Sequence, residues 1–124
     1  MKKNDDYDRL SQITRTALDV AQSKMQKLLA EEENIKAQIA ELQAARHQSV
    51  ADGTPAQQGA ADVKWQVWID HRREELNMEL ARLFVQRDAA RAQLKRAFGK
   101  DQTVLALLKK QRLERYLDQK RQVS

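Results

Sequence analysis

The chain has no cysteine, which excludes disulfides, thiolate metal sites and cysteine nucleophiles. Proline occurs once and glycine three times in 124 residues, so little interrupts regular structure. Aromatic residues make up only 5%, and one domain of this length has no room for a layered core. No window approaches the roughly 18 consecutive apolar residues of a membrane span. The opening residues, Met1-Lys2-Lys3-Asn4-Asp5-Asp6, lack the apolar core of a secretory signal. These absences lead to the expectation of a cytoplasmic, soluble protein.

What is present is Ala, Gln, Leu, Lys, Arg and Glu, the composition of long helices. Charged residues reach 33%, as expected when each helix buries one narrow stripe and leaves the rest in water. Heptad spacing identifies the stripes. In the first half, Leu18, Met25 and Ile39 form one row, interrupted by Glu32, beside Ala21, Leu28, Ile35 and Leu42. In the second half, Ile69, Leu76, Leu83, Ala90 and Ala97 recur every seven residues, with Leu80 and Leu94 alongside. Apolar residues at a 3.5-residue period form a seam that two helices bury against each other. The fold class is therefore all-α, a long antiparallel two-helix coiled-coil hairpin that reads as a rod.

Helix one is expected over about residues 6–49, a loop over 50–62 and helix two over 63–119, all in one domain. The loop contains Gly53, Pro55 and Gly59, and Asp62 is a candidate N-cap. Leu10, Ile13, Ala17 and Val20 lie out of phase with the later seam, which predicts a stutter near 17–25. Gly99 marks a kink or phase change, with Asp101 as a candidate cap, since one glycine costs a helix only about 1 kcal/mol. Folding back near 55–56 places residues whose numbers total about 113 opposite each other, the antiparallel geometry of a helical hairpin. Glu32 would then meet Arg82. The seam positions Glu32, Arg73 and Arg87 predict an interrupted and marginally stable pairing.

No catalytic constellation is apparent. His47 and His71, even with Glu41, Asp52 and Asp70 nearby, lack the ligand spacing of a zinc site. Ser49 beside His47 has no pocket to exclude water, and no phosphate-binding loop follows Gly53 or Gly59. The expectation is a non-enzyme without metal or cofactor. Trp65 and Trp68 share a helix face at i and i+3. They close the hairpin tip on Ala44, Ala45 and Val50, with Arg46 stacked on an indole, or they form an exposed anchor for a partner. One ring in and one ring out satisfies both.

Charge is concentrated late in the chain. Residues 91–124 carry ten Lys/Arg against three Asp/Glu, while residues 1–52 carry eight against nine. Helix two outlasts its partner, so residues 109–124 are expected to overhang. This overhang holds Lys109, Lys110, Arg112, Arg115, Lys120 and Arg121 around Leu113, Tyr116 and Leu117. Three readings stay open for that strip. It is covered by a second copy or by folding back, it enters an acidic socket on a protein, or it meets nucleic acid or an anionic membrane. Few aromatics and no recognisable nucleic-acid motif argue against nucleic acid.

The stretch Trp65-Gln66-Val67-Trp68-Ile69-Asp70-His71-Arg72-Arg73-Glu74-Glu75-Leu76-Asn77-Met78-Glu79-Leu80-Ala81-Arg82 resembles the flagellar FliJ family and its YscO-like counterparts in type III secretion. Ala97-Phe98-Gly99-Lys100-Asp101 and Val104-Leu105-Ala106-Leu107-Leu108 extend the resemblance. It implies a coiled-coil stalk whose terminal end, here residues 10–20 with 105–121, enters and stimulates a hexameric export ATPase. Export-gate or chaperone contacts would involve other surfaces, and the membrane would be reached only through partners. The chain itself is expected to be a monomer or weak homodimer. Lys109, Lys110, Arg112, Leu113, Arg115, Tyr116 and Leu117, with Trp65 and Trp68, are the candidate partner-binding residues. A basic nucleic-acid-binding coiled coil and a self-associating helical scaffold are the alternatives.

Overall fold

A computed structural model describes residues 2–46 and 55–123, with side chains described at 5–46, 55 and 58–123. Both stretches are helical throughout. The first helix, α1, is Lys2–Arg46, and the second, α2, is Pro55–Val123. Asp5 lies in the first turn of α1 and Arg46 in its last, while Lys120 and Arg121 lie in the last turn of α2, all favourable toward the helix dipoles. The fold is an all-α helical hairpin.

Packing divides the chain into two compact units. In one, Met1–Gln26 packs with Ala89–Ser124, and in the other Lys27–Asp88 packs on itself. In the first unit Leu18, Ala21, Ala90, Val104 and Leu108 are buried. In the second the buried apolar residues are Leu28, Ile35, Ile69, Leu76 and Leu83. Each large one contributes roughly 1.5–3 kcal/mol relative to exposure. Burial along α2 alternates every four and three residues through Ile69, Arg73, Leu76, Leu80, Leu83, Arg87, Ala90, Leu94, Ala97, Asp101, Val104 and Leu108.

Four expectations are corrected. Burial along α1 follows Tyr7, Ser11, Thr14, Leu18, Ala21, Met25, Leu28, Glu32, Ile35, Ile39 and Leu42 without a missed step, so there is no stutter. Leu10, Ile13 and Val20 are exposed instead, and the polar residues Ser11 and Thr14 occupy the seam. Residues 55–62, expected in the loop, are helical. Pro55 opens α2, where its missing N–H has no helical acceptor to lose and its fixed φ suits the first turn. Asp101 is no cap, because α2 runs through Gly99 without interruption and carries Asp101 into the seam.

The fourth correction concerns the overhang. Helix α1 begins at Lys2, earlier than expected, so its partner is covered further along. Leu108 is buried and Gln111 half-buried, and the uniformly exposed run begins at Arg112 rather than at Lys109. The expected end of helix one at residues 47–49 and the first part of the loop, including Gly53, lie outside the described residues.

Candidate functional site

Polar side chains in the seam set the local geometry of each unit. In the first unit the Asp101 carboxylate is fully buried. Its Oδ1 lies 3.1 Å from Thr14 Oγ1, and its Oδ2 accepts from Arg15 Nη1 at 3.3 Å. Thr14 Oγ1 is also 3.1 Å from the Ser11 carbonyl oxygen, so its one proton serves one of the two acceptors at a time. Arg15 stays largely in solvent and reaches inward with one nitrogen. A buried carboxylate costs stability unless it is paired, so this contact favours the alignment that brings Thr14 and Arg15 to Asp101.

In the second unit Glu32 plays the corresponding part. Its Oε1 accepts from Arg87 Nη1 at 2.8 Å and forms an ion pair with Lys36 Nζ at 3.3 Å. The expected partner, Arg82, is exposed. Arg87 wins because it shares the seam row of Leu80 and Leu94, and its guanidinium also lies 4.8 Å above the Phe84 ring. Glu32 Oε2, Arg73 Nε and Arg87 Nε are buried without hydrogen-bond partners. Such groups detract from stability and penalise alternative alignments less than a satisfied network would.

The two tryptophans have different environments. Trp65 is half-buried, and its Nε1–H donates to the Ala45 carbonyl oxygen at 3.3 Å. Next to it, Gln66 Nε2 donates to the Arg46 carbonyl oxygen at 2.9 Å, and Arg46 Nε donates to Gln66 Oε1 at 2.9 Å. Two side chains of α2 thus donate to backbone carbonyls in the last described turn of α1. Trp65 thereby has a structural task. Trp68 is 53% exposed and stacks on Trp65 with centroids 5.5 Å apart and planes inclined by 13°. Arg46 is not placed by an indole; its Nη1 pairs with Asp70 at 3.2 Å.

His71 is exposed, and its Nε2 sits 2.8 Å from Glu75 Oε1 one turn along. His47, Ser49, Val50 and Asp52 lie outside the described residues. Among the described residues, no group of three or more His, Cys, Asp or Glu is arranged to hold a metal ion. Among them, too, no helix is long and apolar enough to cross a membrane.

At the end of α2, Leu113, Tyr116 and Leu117 are 57%, 58% and 42% exposed. Lys120 Nζ lies 5.8 Å from the Tyr116 ring centroid, within cation–π range. Arg112, Arg115, Lys120 and Arg121 are exposed around this strip, which contains only Glu114 and Asp118 as acids. Lys109 and Lys110 precede it, beside α1: Lys109 borders an open groove with Asp8 and Ser11, and Lys110 one with Tyr7. The candidate partner residues thus fall into an exposed basic-apolar strip, a flanking lysine pair, one half-buried indole and one exposed indole. Comparison with protein-family models, curated proteins and solved structures yields no match.

Proposed function

We propose that this protein is a non-enzymatic helical adaptor of a flagellar or related type III export apparatus, which binds the export ATPase through the end of α2 and stimulates it. The observation that carries this reading is the apolar strip of Leu113, Tyr116 and Leu117, exposed on a helix surrounded by cations. An exposed apolar strip loses free energy in water, and a basic rim selects an acidic socket to cover it. The resemblance at 65–82 and 97–108 supplies the identity of that socket as the hexameric ATPase. On this reading Arg112, Arg115, Lys109 and Lys110 steer and orient the helix, while Leu113, Tyr116 and Leu117 supply the desolvated contact. Trp68, rather than Trp65, is the indole available to an export-gate or chaperone partner.

The test is a pull-down of the cognate hexameric ATPase with the full chain, together with its rate of ATP hydrolysis. Retention on the resin and faster hydrolysis support the proposal. No retention and an unchanged rate contradict it, and retention of duplex DNA instead would select a nucleic-acid role.

A further inference from the structure

Beside the seam of the first unit runs an open groove of about 600 Å³. Leu10, Val104 and Leu107 make it apolar, and Arg96 and Lys100 stand along it. No acidic side chain lines it. Leu10 and Leu107 are each 40% exposed, so the intramolecular pairing leaves this surface only half covered. Gly99 also lines the groove, and a Cβ at that position would meet nothing within 4 Å. Nothing described in the chain therefore requires a glycine there, although glycine weakens a helix interior. Gly99 presents no side chain toward the groove, while its carbonyl oxygen accepts from Thr103 Oγ1 at 2.9 Å. A missing side chain lets another helix approach closely.

We propose that this groove seats an acidic amphipathic helix of another protein, separate from whatever the end of α2 contacts. The apolar stripe of that helix packs on Leu10 and Leu107, with a small approach distance over Gly99. Its flanking carboxylates pair with Arg96 and Lys100. Charge complementarity chooses this occupant: the wall carries two cations and no anion, which disfavours a basic helix.

An NMR titration tests this, using the isotope-labelled full chain and a synthetic helical peptide with a leucine stripe flanked by glutamates. Saturable shifts are expected at the amides of Leu10, Gly99, Thr103 and Leu107. The double variant R96E/K100E should weaken binding about tenfold or more, as like charges then face each other. R91E/K95E makes the same charge change around the neighbouring groove of Leu18, Leu94 and Phe98 and should change affinity little. G99L should weaken binding while circular dichroism and the melting temperature show an intact fold. A lysine-flanked peptide should not bind. The proposal is overturned if shifts fall only at the end of α2 or around Phe98, or if R91E/K95E is as damaging as R96E/K100E. It is also overturned if the groove amides shift with concentration of the chain alone, which would make a second copy the occupant.

Discussion

Asp101 occupies a fully buried seam position, and Thr14 and Arg15 are what make the carboxylate tolerable there. The substitution T14V should cost about 1–3 kcal/mol in urea unfolding, because it leaves a buried acceptor short of a donor. In contrast, D101L/T14V should equal or exceed the parent chain by up to about 4 kcal/mol. Arg15 already lies 64% exposed, so the double substitution strands no buried charge. Finding the double variant less stable than T14V would mean that the carboxylate contributes more than it costs. Trp65 offers a second test at this scale. Removing its indole N–H with W65F should cost about 0.5–1.5 kcal/mol through the lost bond to the Ala45 carbonyl. A melting temperature indifferent to W65F would deny that bond a part in stability.

For whole helices, the heptad rows were legible because Leu, Ile and Ala at seven-residue spacing leave few other ways to be buried. The rows led by Leu18, Ala21 and Ile69 are buried or half-buried along their length, as their spacing requires. Glu32, Arg73 and Arg87 were legible as seam positions from the apolar rows around them, but Ser11, Thr14 and Asp101 were not, since they carry no apolar signal. Without them, Leu10, Ile13 and Val20 imitated a second phase. Pro55 read as a breaker because only its position, at the first turn of a helix, makes it compatible with one. The partner of Glu32 was misplaced because seam row, rather than distance from the bend, decides which guanidinium reaches it. The basic, apolar end of α2 was legible from charge and spacing, and its residues from Arg112 on are exposed. Every described residue beyond Gln111 is exposed, so that end should open locally most easily. Hydrogen exchange should find the amides of 116–120 exchanging far faster than those of 94–108. Equal protection in the two segments would show that something covers the end in solution.

At the scale of the whole molecule, the proposed role rests on charge as well as on the apolar strip. Positive charge gathers in residues 91–124, and one of the three acids there, Asp101, is withdrawn into the seam. The exposed surface of that segment is consequently more cationic than its formal charge implies. Association through it should weaken with added salt, since its cations lie in solvent. An association measured by titration that is insensitive to ionic strength would point to the apolar strip acting alone.

The central claim is that the cationic end of α2 is the contact with the hexameric export ATPase. Calorimetric titration of that ATPase with the full chain and with R112E/R115E tests it most directly, because both arginines are exposed and their reversal should leave the melting temperature unchanged. The account predicts saturable binding by the parent chain and a loss of about tenfold or more in the variant. Equal affinities for the two chains, or no heat from either, would contradict it.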